Sequence, residues 1–251
     1  TIALSDVKNT VVDLKGIQQT GTIVNREGHP MNSLFLLPSQ GLLSAADFDG
    51  SGNYLHPAQT FGVVKPGDIR YDDVDKSGSV NNNDRQVLGS TIPRYTYSLR
   101  LFAEYKGFDF TAFVQGVGKV DGYLTGSAIT PFAAGGTAYE CQKNRWTTDN
   151  PDPNAVFPRF AFGENNNIQH SDYWMKSAGY LRMKNLQLGY TIPKAVLSSL
   201  KIQSLRIYVS GENLFTLDDF WPGWDPEIPP ASAGVYYPQV KVVNVGLNVK
   251  F

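Results

Sequence analysis

The sequence is poor in the residues that build cysteine-based or histidine-based sites. Its 251 residues include one cysteine and three histidines. Cys141 alone cannot form an intrachain disulfide framework or a cysteine-rich zinc site. His29 and His56 each precede a proline, and His170 is far from both along the chain. The sequence therefore gives little support to a metal or catalytic cluster built on these residues.

The sequence also lacks an excess of charge and any long apolar run. Its 22 Lys and Arg residues balance 23 Asp and Glu residues, without a basic cluster, so we expect no nucleic-acid partner. No stretch approaches the roughly 18 uncharged apolar residues of a membrane helix. The opening segment, TIALSDVKNT, has neither a basic nor an apolar region, so it does not read as a signal peptide.

The composition that is present favours β structure. Aromatic residues make up 12% of the chain, and 24 Gly and 15 Pro punctuate it at short intervals. Apolar residues alternate with a period of two in 97–105 and 108–116, and Lys106-Gly107 between them predicts a tight hairpin. The one helix that we expect is short, PKAVLSSL at 193–200, with proline in its first turn.

Further strands are expected at 180–192 and 204–215, joined by that helical turn. In the strand at 180–192, the apolar residues change from odd-numbered to even-numbered positions near Asn185. This change indicates a bulge, a strand crossing a membrane interface or an error of register. The last strand, VKVVNVGLNVKF, has valine, leucine and phenylalanine on one face and Asn, Gly and Lys on the other. Short turns, long Gly/Asn/Pro-rich connections and a terminal Phe251 favour an outer-membrane barrel, and a soluble β-sandwich is the alternative.

The segment YDDVDKSGSVNNNDR, at 71–85, has the spacing of a twelve-residue calcium loop. We expect the ion to be held by residues at alternate positions of the loop at 73–84, namely Asp73, Asp75, Ser77, the carbonyl of Ser79, and Asp84. Gly78 stands at the sharp turn, and Val80 can place an apolar side chain under the loop. Asp84 is shorter than the usual glutamate, and an ordinary solvated Asp/Asn/Ser/Gly turn is the alternative.

Several long motifs resemble one family of proteins. These motifs are GDIRYDDVDKSGSVNNNDRQVLG within 67–116, NRWTTDNPDPNAVFPR at 144–159, SDYWMKSAGYLRMKNLQLGYTIP at 171–193 and LRIYVSGENLFTL at 205–217. Together with 26–48, they are similar in order and content to the C-terminal third of SusC/RagA-type TonB-dependent outer-membrane transporters. The similarity extends over most of the chain.

The resemblance implies an all-β fold and a transport function. Residues 1–251 would be the C-terminal portion of a large antiparallel transmembrane β-barrel of about 22 strands, with long extracellular loops, in the outer membrane of a Gram-negative cell. The plug domain is expected to be absent from this chain, so the plug and the remaining barrel strands would be partners. The family imports oligosaccharides, or peptides in some members, beneath a SusD-like surface lipoprotein, and the TonB complex acts through the plug. Calcium in the loop would be structural, stiffening an extracellular connection.

Two other functions are compatible with parts of the sequence. Four loop carboxylates could supply the acid and base of a β-rich glycoside hydrolase, namely Asp149, Asp152, Asp225 and Glu227. Their neighbouring prolines are typical of residues that shape loops, and no set of nucleophile, base and orienting group is identifiable, so we predict a non-enzyme. A soluble, calcium-stabilised carbohydrate-binding module is the second alternative. In FWPGWDPE, Trp221 and Trp224 are candidate substrate contacts, although tryptophans near strand ends more often form an interfacial girdle.

Overall fold

The computed structural model describes residues 1–17, 19–163, 165–198, 202–228, 230–231, 233–234, 236–237 and 239–251. Its strands, in chain order, are β1 Ile2–Asp6, β2 Ile23–Val24, β3 Ser33–Leu36, β4 Ser39–Leu42, β5 Ala58–Gln59, β6 Ile69–Tyr71, β7 Ser79–Val80, β8 Gln86–Ser90, β9 Tyr95–Tyr105, β10 Phe108–Gly118, β11 Asp121–Tyr123, β12 Met175–Ser177, β13 Tyr180–Thr191, β14 Ser204–Glu212, β15 Thr216–Asp218 and β16 Val242–Lys250. One α-helix, α1, covers Lys194–Leu197, and 3-10 turns cover Ala45–Asp47, Asn82–Asp84, Gly126–Ala128, Ala133–Gly135, Glu140–Lys143, Asn166–Ile168 and Asp172–Trp174. No helix in the described part of the chain is long and apolar enough to cross a membrane.

Seven strands form one large antiparallel sheet. The order is β1-β9-β10-β13-β14-β16, and β15 continues the line of β14 by pairing with the start of β13. The hairpin of β9 and β10 turns at Lys106 and Gly107, as predicted. The prediction of a mainly β, antiparallel architecture is confirmed, with the two-residue β5–β7 pair as a parallel exception.

Successive side chains of a strand point to opposite sides, so the register fixes two faces of the large sheet. One face, called the apolar face, carries exposed Ile2, Leu4, Leu101, Phe108, Phe110, Leu188, Ile207, Val209, Val243, Val245, Leu247 and Val249. The opposite face, called the polar face, carries Ser98, Arg100, Glu104, Asp109, Thr111, Gln115, Arg182, Gln187, Arg206, Ser210, Asn244 and Asn248. The ordinary arrangement of a soluble protein, with apolar residues inside, is therefore reversed on this sheet.

A β-bulge explains the change of parity in β13. Phe113 pairs with Asn185, but the next residue, Val114, pairs with Met183, so Lys184 has no opposite residue. The extra residue keeps the apolar side chains before and after it on the same face. The bulge reading of the sequence is therefore correct.

An ion pair crosses the polar face over a glycine. Arg206 of β14 reaches across β13 to Asp109 of β10, with its Nε 2.7 Å and its Nη2 2.5 Å from the two carboxylate oxygens. The strand between them presents Gly189, where a Cβ would lie 2.4 Å from both Arg206 Nη2 and Asp109 Oδ2. Only a residue without a side chain leaves room for this bridge.

The connections between the large strands fold into a second unit. This lobe consists of the described residues of 19–90, 120–178 and 219–237, and its small sheets are β2-β3-β8, β4-β6, β5-β7 and β11-β12. Its core is built from the buried residues Leu34, Leu36, Leu37, Ile69, Tyr71, Val80, Val120, Tyr123, Leu124, Ala128, Ile129, Phe157, Trp174, Ala178, Phe220 and Trp221. Buried Asp68 is fixed inside the lobe by Arg159 Nη2 at 2.9 Å and by Asn167 Nδ2 at 2.8 Å.

The predicted helix at 193–200 is shorter in the structure. It begins at Lys194 after Pro193 and its α-helical part ends at Leu197. Residues 199 and 200, where the prediction ended, lie outside the described part of the chain. The helix connects β13 to β14, and Leu197 is buried at its end.

Candidate functional site

The calcium-like loop lies in the lobe and brings three carboxylates together. Asp73, Asp75 and Asp84 each offer an oxygen within 4.8 Å of the other two. The structure thus assembles the first, third and twelfth positions of the predicted loop. These three carboxylates could hold a metal ion, and their oxygens are the ligand type that hard divalent cations prefer.

Asp84 is the most enclosed member of this cluster. It is 0% exposed, and its Oδ1 accepts hydrogen bonds from the backbone N–H groups of Val74 at 2.8 Å and Asp75 at 3.2 Å. Its Oδ2 accepts from the N–H of Asn81 at 2.7 Å, within a capping box around the Asn82–Asp84 turn. These hydrogen bonds therefore fix the Asp84 carboxylate, at the twelfth position of the loop, independently of any ion.

The remaining predicted ligands stand on the outer side of the loop. Asp73 accepts from the backbone of Ser77 at 3.0 Å and of Gly78 at 2.8 Å, and Asp75 accepts from Ser77 at 3.0 Å. The Ser77 hydroxyl donates to the Ser79 carbonyl at 3.0 Å, so two of the predicted ligand oxygens bond to each other. Gly78 has a φ of 87°, which supports the sharp turn expected at the sixth position.

The charge of the cluster is not balanced by protein cations. Among the described residues, no Lys, Arg or His forms an ion pair with any of the three carboxylates. Ser77, through its side chain and then its backbone N–H, holds the pKa of Asp75 below its ordinary value. An ionised carboxylate has about four acceptor sites, so the backbone bonds leave oxygens free. Three carboxylates at this spacing fit a divalent cation.

The loop is anchored through its eighth position. Val80 is buried in the lobe core, as the sequence predicted. Its carbonyl accepts from the backbone N–H of Thr60 at 3.0 Å and from the Thr60 hydroxyl at 2.9 Å. The short parallel pairing of β5 with β7 adds to this anchor. These contacts connect the loop to the neighbouring segment that contains Thr60.

A second charged cluster, not predicted from the sequence, ties the lobe to the polar face. Arg182 of β13 is 1% exposed and donates from Nη2 to Asp225 at 2.7 Å, from Nη1 to Glu227, and from Nε to the Thr216 hydroxyl at 2.8 Å. Lys184 also lies 3.0 Å from Glu227. The alternation of side chains along β13 could have predicted this cluster. It places the positive charge of Arg182 on the polar face, opposite a loop rich in acidic residues.

The same cluster bears on the glycosidase alternative. Asp225 and Glu227 both bind the buried guanidinium of Arg182, and the Tyr180 hydroxyl donates to Glu227 at 2.5 Å. A general acid must be free to reach the leaving group, whereas both carboxylates accept hydrogen bonds from the Arg182 guanidinium. These two carboxylates are arranged to hold the loop in place.

The structure separates the two tryptophans that were candidate substrate contacts. Trp221 is 2% exposed and packs against Trp174 and Phe157, at ring distances of 5.9 and 5.5 Å. Its ring is part of the lobe core. Trp224 is half-buried and lines a cavity beside Tyr139, so it is the one of the pair that a ligand can reach.

Comparison with known proteins gives a consistent set of relatives. No family model matches the chain. The TonB-dependent receptor P3 of Formosa agariphila is 29% identical over 93% of this chain and 23% of the relative. The TonB-dependent receptor SusC of Bacteroides thetaiotaomicron is 23% identical over 74% of this chain and 18% of the relative.

Solved structures support the fold. The chain matches the RagAB peptide importer in its open-open state with a TM-score of 0.70 and 20% identity, over 96% of this chain and 25% of that one. The curated relatives are TonB-dependent receptors, a non-enzymatic class, which supports the prediction of a non-enzyme. The chain spans about a quarter of the length of P3 and of the matched importer chain, and over that length it is a distant homologue of the TonB-dependent receptors of SusC type.

Proposed function

We propose that residues 1–251 form the C-terminal portion of the barrel wall, together with extracellular loops, of a SusC/RagA-type outer-membrane transporter. The large sheet would contribute strands to a barrel of about 22, with its apolar face toward lipid and its polar face toward the lumen. The lobe would be the folded extracellular loops, lying across the lumen side of the strands. The relatives and the matched fold support this assignment.

One observation carries the proposal, namely the reversed distribution of side chains on the large sheet. Val245, at 78% exposure, and its neighbours on the apolar face lack protein cover, while Arg182 on the polar face is 1% exposed. A contiguous apolar surface of this kind is uncommon in monomeric soluble proteins and marks an interaction with a partner or a membrane. Strands that alternate between an apolar and a polar side are typical of membrane barrels.

Site-directed spin labelling tests this orientation. The chain would be expressed as part of the complete transporter in its native membrane, with Cys141 replaced by serine to remove the natural thiol. Single cysteines at Val245 and Leu247 sample the apolar face, and cysteines at Asn244 and Asn248 of the same strand are matched controls. We expect nitroxides at the first pair to collide with dissolved oxygen, which concentrates in lipid, and those at the second pair to collide with a water-soluble nickel chelate.

The two-residue alternation is the decisive result. If all four labels along β16 report the nickel chelate equally, the strand lies in water on both sides and the barrel assignment fails. A soluble carbohydrate-binding module would give that result, and it would also remain in solution without detergent. The comparison needs no knowledge of the substrate.

The whole transporter would act with partners that this chain does not contain. We propose import of oligosaccharides, or of peptides, beneath a SusD-like surface lipoprotein, energised through TonB on a plug supplied by other residues of the transporter. The similarity to the RagAB peptide importer and to SusC supports this class of activity. TonB-dependent uptake by cells that carry the complete transporter, absent in cells without TonB, is the corresponding measurement.

The loop at 73–84 would hold a structural calcium ion. Asp73, Asp75 and Asp84 supply carboxylates, and Ser77 and Ser79 stand at the positions where a hydroxyl and a carbonyl oxygen would complete the set. Calcium would supply positive charge to an otherwise unbalanced acidic cluster. The loop connects β6 to the segment leading into β8, so an ion there would stiffen the lobe without any part in transport chemistry.

Calcium binding is measurable on the complete transporter by isothermal titration with calcium chloride after chelation. We expect one site to be lost in Asp73→Ala and Asp75→Ala, because each removes a carboxylate of the cluster. Asp49→Ala is a matched control, since Asp49 lies in a similar exposed loop and bonds only within it, to Ser51 and Asn53. Unchanged titration in the first two variants, or no titration in the unaltered protein, would refute the site.

A further inference from the structure

A cavity opens in the lobe between the turn at 139–141 and the described residues of 222–236. Its volume is about 410 Å³, and its walls include Tyr139, Trp224, Ile228 and Tyr236. Binding sites for small molecules occupy roughly 300–1,000 Å³ and combine apolar walls with a few polar groups. The cavity has the size for one compact ring-shaped group and lies apart from the calcium-like loop.

Three of the lining residues are aromatic, namely Tyr139, Trp224 and Tyr236. The rings of Tyr139 and Trp224 meet edge to face, with centroids 5.0 Å apart and planes at 67°, which leaves the outward faces of this corner for a ligand. Tyr236 is 55% exposed at the same cavity. Flat aromatic faces pack well against a ring whose C–H groups point to one side, because the negative face of the aromatic ring attracts weakly positive hydrogens.

The polar groups at the rim accept hydrogen bonds but carry little free charge. Asp225 belongs to the rim, and its carboxylate is paired with Arg182 at 2.7 Å. Glu140, also at the rim, has Lys143 beside it at 2.8 Å. Each acid thus has a basic partner outside the cavity. Carboxylates of this kind accept from hydroxyl groups, while their attraction for a cationic ligand is reduced.

The lining also disfavours anions. Among the lining residues that the structure describes, none is Lys, Arg or His. A phosphate, sulfate or uronate group would find no cation among these lining residues to bind it. A neutral group that combines an apolar ring face with hydroxyl donors at its edge satisfies both the walls and the rim.

We propose that this cavity is a subsite for a neutral pyranose unit of an oligosaccharide, stacked on Trp224 and Tyr139 with hydroxyl groups donating to Asp225. The proposal rests on the transport function proposed above and selects oligosaccharide over peptide as the substrate class at this position. Arg182 acts here as a positioning residue, since it fixes the carboxylate of Asp225 and with it the loop that carries Trp224.

The test uses the complete transporter, purified in detergent and titrated by calorimetry. The probes are the neutral oligosaccharides maltohexaose, cellohexaose and xylohexaose, a cationic chitosan hexamer, an oligogalacturonate and a hexalysine peptide. We expect at least one neutral probe to bind, and Trp224→Ala or Tyr139→Ala to weaken that binding by about tenfold or more, as for anchoring aromatics in a binding site. Phe162→Ala is the matched control, because Phe162 is an 87% exposed aromatic elsewhere in the lobe, and its loss should change the affinity less than twofold.

Several results would overturn the subsite. Binding of a charged probe with the same dependence on Trp224 would assign the cavity to that class, and failure of every neutral probe to bind would remove the sugar. If neutral probes bind and Trp224→Ala, Tyr139→Ala and Phe162→Ala all leave the affinity unchanged, the cavity is not the contact, although transport stands. Failure of the proposed function itself is seen separately, in the spin-label pattern along β16 and in TonB-dependent uptake.

Discussion

Removal of the Arg182 guanidinium should release the loop at 219–228 from the polar face. Arg182→Met keeps the length and much of the bulk of the side chain but removes its charge and its hydrogen-bond donors. In the native protein this side chain is 1% exposed and bonds to Asp225, Glu227 and Thr216. The variant leaves the two acids beside a thioether.

The size of the effect depends on which ion pairs and hydrogen bonds Asp225 and Glu227 retain in the variant. Breaking a buried ion pair by removing one partner costs about 3–5 kcal/mol. Glu227 is 28% exposed at its side chain and retains Lys184 at 3.0 Å and the Tyr180 hydroxyl, so it loses only part of its stabilisation. Asp225, at 11%, loses its cation entirely. We therefore expect the free energy of opening the loop to fall by about 2–3 kcal/mol, which is about 30- to 150-fold in the opening equilibrium.

Hydrogen exchange measured by mass spectrometry on the complete transporter reports this opening directly. The backbone N–H groups of Trp224, Glu227 and Ile228 donate within the loop, and that of Phe220 donates to the Asp218 carboxylate just before it. Their exchange therefore requires these hydrogen bonds to open. Exchange over 219–228 should accelerate in Arg182→Met by the factor given above.

Two control variants test whether the change in hydrogen exchange comes from the ion pairs of Arg182. Arg100→Met changes an arginine of the same polar face that forms no ion pair among the described residues, and it should leave exchange over 219–228 unchanged. Asp225→Asn added to Arg182→Met should recover part of the protection, because the buried acid no longer carries a charge. If exchange in Arg182→Met equals that of the native protein, the cluster does not hold the loop, and the reasoning from burial and charge is wrong.

Three further predictions address the sheet and the lobe. Leu247→Arg should reduce barrel stability by about 2–4 kcal/mol if it lies near the bilayer midplane, whereas Asn248→Arg on the polar face should change it little; urea unfolding in lipid vesicles compares them. Gly189→Ala should lower the unfolding free energy by about 1–3 kcal/mol, because its Cβ would lie 2.4 Å from Arg206 Nη2; the same unfolding assay applies, and an unchanged value would refute the close approach. Burial, and then the charge of Arg85, lowers the pKa of His170, so the unfolded state takes up the proton first and lobe stability should decline as the pH falls below about 6.5. His170→Gln should reduce that pH dependence in thermal unfolding, and an identical pH dependence in both proteins would contradict it.

The strands of the large sheet were predictable because their side chains alternate cleanly. The hairpin at Lys106, the final strand and the connection through α1 follow from periodicity and turn residues alone. The bulge at Lys184 was visible as a break in parity. β1 escaped prediction, since IALSD is too short to show a pattern, and its place beside β9 depends on contacts 95 residues or so apart in sequence.

The lobe was much less predictable, because its core comes from distant short segments. Trp174, Trp221 and Phe157 lie in loops without periodicity, yet they pack together. Tryptophans near strand ends predicted either an interfacial girdle or a sugar contact, whereas the structure buries Trp174 and Trp221 in the core of the lobe. The acidic loop at 73–84 was recognisable because its candidate ligands lie close together in the sequence. Their spacing is visible without any knowledge of contacts between distant segments.

The charges of the chain also indicate which side of the sheet a solute can approach. Arg206 with Asp109, and Arg182 with Asp225, are strand cations that pair with acids on the polar face, and the lobe rests there. On the opposite face β9, β10, β13, β14 and β16 offer mainly aliphatic and aromatic side chains. An ion pair costs much in hydrocarbon and little where water or a polar loop can solvate its edges. In the proposed barrel, lipid on the apolar side and a hydrated, loop-lined space on the other would accommodate both faces, and the cavity beside Trp224 would lie on the hydrated side.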